Sequence, residues 1–237
     1  MKLLGVNCSP RKVNSYGVIK LMMEGITQPE IEKEIISLGD YKLNLCLGEL
    51  KCLFKQPFEC IQKNDDLAAI QQKFYEADGY IFAIPVYIMT VPGGLKNFID
   101  RCTTWAHTFP FIGRYAAIVI TIAAPAGRAL RTLEYMKAWL RLLGICVSGE
   151  LLIYTWGGYK ELGEKNIPIE DVPGVREKSE ELSKILVSDM LNKPKFIPDA
   201  EDLAQWKVLK YKATLVGGFE GKRWKDMGWI EKDHWSL

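Results

Sequence analysis

The 237-residue chain sets 31 Lys and Arg against 29 Asp and Glu, a net charge of +2, and is 48% hydrophobic. That balance leaves no electrostatic footprint for nucleic acid, while the apolar share is enough for the core of one α/β domain with an appendage. The longest apolar stretch, about Tyr115 to Ala126, falls far short of the roughly 18–20 residues that span a bilayer, so no membrane association is expected. The run after Lys2 stops at Asn7, too short for a secretion signal. Without one, the six cysteines read as reduced thiols or a metal site, and a cytoplasmic location is expected.

The chain opens with a short apolar strand, Leu3-Leu4-Gly5-Val6, and then the polar stretch Asn7-Cys8-Ser9-Pro10-Arg11-Lys12-Val13-Asn14-Ser15-Tyr16. Val18, Leu21, Met22 and Gly25 follow at helical spacing. A strand, a polar loop and a helix start make a phosphate site, because the first turn leaves amide N–H groups unpaired at the positive end of the dipole. Ser9 and Ser15 add hydroxyls and Arg11 adds a forked charge. The loop lacks the glycines of a Walker loop or a dinucleotide turn, which leaves a site for one terminal phosphate.

Strands and helices then alternate. Glu34–Leu38 reads as a second strand, and residues 40–65 interrupt the rhythm with Cys46, Cys52 and Cys60. Asp65-Asp66 is expected to cap a helix whose Leu67, Ile70, Phe74 and Ala77 share a face. Gly79–Ile84 is the third strand, and Thr90-Val91-Pro92 opens a helix carrying Leu95, Phe98, Ile99 and Cys102. Ala116–Ile122, apolar throughout, suits a central strand buried on both faces. Leu130, Leu133, Leu140 and Leu143 mark a helix, Ile145–Ile153 a fifth strand, and Leu182, Ile185 and Leu186 a helix ending before Pro194. The pattern predicts an α/β, doubly wound, five-stranded parallel sheet, with ligands outside the carboxyl ends of the strands at the switch point. Three loops meet there: the opening loop, Pro85–Pro92, and Ala123–Arg128.

The chain resembles the NADPH-dependent FMN reductases and iron–sulfur flavoproteins of the flavodoxin-like superfamily. The resemblance is carried by Cys-Ser-Pro-Arg-x-x-x-Ser at 8–15, Ala-Asp-Gly-Tyr-Ile-Phe at 77–82, Pro-Val-Tyr at 85–87 and Val-Pro-Gly-Gly-Leu-Lys-Asn-Phe-Ile-Asp-Arg at 91–101. It implies the flavodoxin-like strand order 2-1-3-4-5 over residues 1–193, with a Cys-containing insertion at 40–65 and an aromatic C-terminal extension at 194–237. It implies FMN, with Ser9, Arg11, Asn14, Ser15 and Tyr16 around the phosphate. Pro85, Val86, Tyr87 and Ile88 would lie along the isoalloxazine, with Ala124 and Gly127 at its edge. Amides near Ile88 and Gly127 would donate toward the ring, and no side-chain acid or base stands out. The implied activity is FMN-dependent, NAD(P)H-linked reduction of flavin, quinone or a similar small acceptor, in a homodimer or homotetramer. An electron-transfer protein fed by a protein donor, or a thiol-based redox sensor, is the alternative.

Iron–sulfur members of that family carry Cys-x2-Cys-x2-Cys and a fourth Cys beyond. Here Cys46, Cys52 and Cys60 hold the first, third and fourth places, and Glu49 holds the second. Four thiolates bind such a cluster and a carboxylate is a hard substitute, so an iron–sulfur cluster is not expected. Cys8 invites comparison with phosphatases built on Cys-x5-Arg, but Asn14 stands at the Arg position. His107 and His234, the two histidines, lie in no hydrolase or zinc-protease pattern. Asp100 is expected to pair with Lys96 rather than its neighbour Arg101. The extension holds four tryptophans, Trp206, Trp224, Trp229 and Trp235, and is expected to wrap a partner subunit or wall the flavin pocket.

Overall fold

Five strands lie parallel, four of them on largely apolar runs: β1 Lys2–Asn7, β2 Glu32–Ser37, β3 Gly79–Pro85, β4 Arg114–Ile122 and β5 Ile145–Tyr154, with β2 the charged exception. The computed structural model describes residues 1–55, 59–123, 127–155, 168–195, 197–216 and 218–232. The strand order is β2-β1-β3-β4-β5, as the resemblance implies. β3 and β4 are buried along almost their whole length, which is why their sequences are apolar without alternation. β2 starts two residues before its apolar pattern does. It is an edge strand, and its Glu34 is held by Lys2 at 2.8 Å and by Lys73.

Helices cover both faces. On one lie α1 Asn14–Glu24 and α7 Val175–Asn192, whose Val18, Met22, Leu182 and Leu186 join Leu3, Ile81 and Val119 of the sheet. Gly79 permits α7 to pack directly on the sheet: a Cβ there would stand 2.5 Å from the Met190 sulfur. On the other face lie α3 Leu67–Glu76, α4 Gly93–Arg101, α5 Trp105–Thr108 and α6 Gly127–Leu142. There Phe74, Phe82, Phe98, Trp105 and Phe111 form a connected aromatic cluster with Tyr80. The short α2 Lys51–Phe54 sits in the cysteine-containing segment.

The extension supplies two more helices, α8 Ala200–Val216 and α9 Gly218–Asp226. Its tryptophans are buried within their own chain. Trp206, Trp224 and Trp229 surround Phe109, with Trp206 and Trp224 ring centres 4.5 Å apart, and the Trp224 indole donates to the His107 carbonyl at 3.2 Å. Phe109 and Ile112, just before β4, provide the surface on which these three rings are buried. Trp235 and His234 lie outside the described residues. Among the described residues no helix is long and apolar enough to cross a membrane.

Candidate flavin site

The loop between β1 and α1 is shaped by Asn7, the last residue of β1, which is fully buried. Its amide nitrogen donates to the Ser9 carbonyl at 3.3 Å, the Arg11 carbonyl at 3.2 Å and the Ser37 hydroxyl at 3.0 Å. Its side-chain oxygen accepts from the Ser9 amide at 3.3 Å. The Ser9 hydroxyl in turn accepts from the Arg11 amide at 3.1 Å. One buried side chain thus turns the loop's carbonyls inward and leaves the helix start open.

That helix start is uncapped. Val13 at the N-cap makes no side-chain cap hydrogen bond, and the first turn carries no acidic residue. The Gly17 amide, bonded to the Val13 carbonyl at 2.8 Å, is the first with an intrahelical acceptor, so those of Asn14, Ser15 and Tyr16 precede the ladder. Lys12, the other cation of the loop, is held by Asp40 at 2.7 Å. Ser15 is buried, and its hydroxyl lies 3.0 Å from the hydroxyl of Thr121 on β4, 106 residues away.

Ser9, Arg11, Asn14 and Ser15 face Pro85, Val86 and Tyr87 across a cleft at the carboxyl ends of the strands, with Val13, Thr121, Ala123 and Thr155 completing its wall. The cleft thus sits where the switch-point rule puts a ligand. Beyond Val86, whose amide is bonded to the Thr121 carbonyl at 3.0 Å, the chain makes a tight turn closed by two hydrogen bonds between Tyr87 and Thr90. Its central residues, Ile88 at φ 42° and Met89 at φ 75°, are left-handed, an unfavourable region for a β-branched residue. Strain of this kind gathers at ligand-binding loops. Ile88 is 94% exposed.

Seven of the residues named from sequence therefore line one cleft: Ser9, Arg11, Asn14, Ser15, Pro85, Val86 and Tyr87. Tyr16, half-buried in α1, and Ile88 are not in its wall. Ala124 lies outside the described residues, and Gly127 is the first residue of α6. Sequence reasoning missed Asn7 as the organiser of the loop, and Thr121, Ala123 and Thr155 as lining residues. Thr121 is a polar residue within an otherwise apolar strand, which was the available signal.

The cysteines divide differently. Cys8 is 2% exposed and its thiol pKa is pushed far up by burial, so it packs at the strand end and is no phosphatase nucleophile. In the neighbourhood formed by the 40–65 segment, burial raises the Cys52 pKa, and the fields of Cys60, Glu49 and Cys46 add to it. The neighbourhood is organised by a buried ion pair. Arg101, with its side chain fully buried, forks onto Asp65 at 2.6 and 3.3 Å and donates to the Asn44 carbonyl at 2.6 Å and the Cys60 sulfur at 3.2 Å. Asp65 is thus chiefly the partner of Arg101 rather than a helix cap, although it also accepts from the Leu67 amide at 3.2 Å. Burial works to raise the Asp65 pKa. Arg101 and the amides of Asn44 and Leu67 outweigh it and hold the carboxyl below its ordinary range. Lys96 pairs with Asp100 at 2.5 Å, as expected.

The donor set of this segment does not fit a four-thiolate cluster. It offers three thiols, and the Glu49 carboxylate accepts from the Lys51 amide at 2.8 Å within its own loop. Among the described residues no three His, Cys, Asp or Glu side chains are grouped to hold a metal ion. The lining of the cleft suits FMN: Ser9, Arg11, Ser15 and the uncapped start of α1 share it with Pro85, Val86 and Tyr87.

Sheet order and cleft together define a flavodoxin-like, FMN-binding oxidoreductase fold. The chain belongs to the NADPH-dependent FMN reductase family, whose model matches residues 1–155. It is 28% identical to an iron–sulfur flavoprotein of Archaeoglobus fulgidus over 237 residues, covering 97% of this chain and all of that protein. A second iron–sulfur flavoprotein, from Methanocaldococcus jannaschii, is 30% identical over 63% of this chain and 77% of its own length. Among solved structures, an FMN-dependent NADH-azoreductase of Bacillus anthracis superposes with a TM-score of 0.58 at 19% identity, over 78% of this chain and 99% of that one, which shows the shared fold.

Proposed function

We propose that the protein is a flavin-dependent reductase that takes electrons from NAD(P)H and delivers them to flavin, quinone or a similar small acceptor, with FMN seated in the β1–α1 cleft. Bound FMN would supply the redox chemistry, taking up an electron pair from the nicotinamide and releasing it to the acceptor. The chain's own residues bind and orient. In this reading the amides of Asn14, Ser15 and Tyr16, the Ser9 and Ser15 hydroxyls and Arg11 hold the phosphate. Pro85, Val86 and Tyr87 flank the ring, Ile88 lends its amide, and Gly127 lies toward the ring edge. The exposed Ile88 side chain offers an apolar shelf at the mouth, where a flat acceptor could dock. A homodimer or homotetramer in the cytoplasm completes the proposal.

The observation that carries this reading is the uncapped, acid-free start of α1, facing an aromatic wall across the cleft. The visible spectrum of protein purified without air, together with NADPH oxidation in the presence of a quinone, tests it. Flavin bands and sustained turnover are expected. Protein that stays colourless after incubation with FMN would refute the assignment. Flavin without turnover would favour a carrier fed by a protein donor.

A further inference from the structure

Alternate residues of β4 face α1 and α7. Ala117 and Val119 join the apolar core on that side, and Thr121, next in the alternation, puts a hydroxyl where the stripe calls for hydrocarbon. Thr121 is 4% exposed. A buried hydroxyl costs stability unless it is paired, and a valine of the same shape would avoid that cost. The partner is the Ser15 hydroxyl at 3.0 Å.

The main chain of Thr121 serves the opposite wall of the cleft. Its carbonyl accepts from the Val86 amide at 3.0 Å, and Thr121 stands in register with Pro85. Side chain and backbone therefore hold different walls: the hydroxyl steadies the α1 side, and the carbonyl steadies the loop that begins at Pro85.

Ser15 belongs to the first turn of α1, where its own amide precedes the helix ladder and no acidic residue stands. An anion at that turn draws the Ser15 hydrogen toward the cleft, so Ser15 accepts inside the pair and Thr121 donates. A hydroxyl that accepts a hydrogen bond is itself a better donor, because the two bonds polarise each other. We infer, on the reading that FMN occupies this cleft, that Thr121 is a positioning residue for the phosphate. It acts through Ser15, fixing that hydroxyl as a donor, and so makes the site favour a phosphorylated flavin over riboflavin. Thr121 lines the cleft, but this role needs no contact of its own with the ligand.

Fluorescence titration of the full-length, flavin-free protein with FMN and, separately, with riboflavin tests the inference. Thr121→Val keeps the shape and the carbonyl bond to Val86 and removes only the hydroxyl. It is expected to weaken FMN binding about fivefold, the worth of one hydrogen bond, and to leave riboflavin binding unchanged. Thr121→Ser, which retains the hydroxyl, should bind FMN as wild type does. On a Ser15→Ala background, Thr121→Val should cost nothing further, since the residue it acts through is gone. Equal losses for both flavins would mark a packing role and overturn the inference. So would an unchanged FMN affinity in Thr121→Val, a Thr121→Ser variant as weak as Thr121→Val, or losses that add to that of Ser15→Ala. Wild-type protein that binds neither flavin would remove the FMN reading itself, and the inference with it; the other outcomes leave that reading standing.

Discussion

The β1–α1 loop and the cysteine segment both begin as sequence motifs of one family, and the structure treats them in opposite ways. In the loop, one buried amide, Asn7, absorbs the local backbone groups and leaves Ser9, Arg11, Ser15 and the helix amides facing a cleft. In the segment, a buried ion pair draws the functional groups inward: Arg101 engages Cys60, and Glu49 turns back onto its own backbone. The loop leaves its polar groups open toward the cleft, and the segment commits its own to itself. A motif's residue types are thus insufficient to define a site; what matters is which hydrogen bonds remain uncommitted once the chain has folded.

If that contrast is right, substitutions in the two regions should separate stability from cofactor binding. The largest effect is expected in the segment. Asp65→Asn strands the buried Arg101 charge and should cost about 3 kcal/mol in urea unfolding, since breaking one side of a buried pair leaves the other uncompensated. FMN affinity of the folded variant should stay close to wild type, and a large loss would break the comparison.

The same pair sets an acid limit. Because Asp65 has a lowered folded pKa, its stabilisation is complete above the unfolded value of about 3.9 and is lost as pH falls through the folded value. Unfolding midpoints between pH 6 and pH 2 should therefore fall more steeply for wild type than for Asp65→Asn, and parallel curves would contradict this.

In the loop the balance is reversed. Arg11→Ala should weaken FMN binding by about tenfold, roughly the 1.5 kcal/mol of a hydrogen bond to a charged group, with the melting temperature of the flavin-free protein unchanged. Fluorescence titration with FMN measures it. Lys12→Ala is expected to have the smallest effect. Its exposed pair with Asp40 adds little to stability, because solvent screens it, and flavin binding should hold. A tenfold loss of flavin there would show that Lys12, and not Arg11, carries the charge of the cradle.

Much of the fold was legible because buried parallel strands are written as unbroken apolar runs, as in Gly79–Ile84 and Ala116–Ile122. The pattern failed where burial is one-sided or shared. Edge strand β2 begins with charged residues whose partners, Lys2 and Lys73, come from other elements. Helix α8, apolar on both faces, has no single-stripe signature, so the Trp-rich extension showed no helix. At the site, positions along the motifs could be read directly. The Ser15 contact with Thr121 could not, because only the sheet order brings residues 106 apart together. The Arg101–Asp65 pair was hidden likewise: on sequence grounds Asp65 was a helix cap and Arg101 a bystander.

The paired hydroxyls of Ser15 and Thr121 have a consequence for proton counting. Two hydroxyls carry two hydrogens, and a single bond between them uses one, so the other remains available to an incoming acceptor whichever of the two donates inside the pair. Backbone amides, hydroxyls and a guanidinium keep their protons throughout the physiological range. No acidic residue stands in the first turn of α1 to alter the local charge. The cradle therefore has a fixed protonation state. Any change in cofactor retention between pH 5 and pH 8 would follow the ligand's own phosphate, whose second ionisation lies near pH 6, rather than any titration of the cradle.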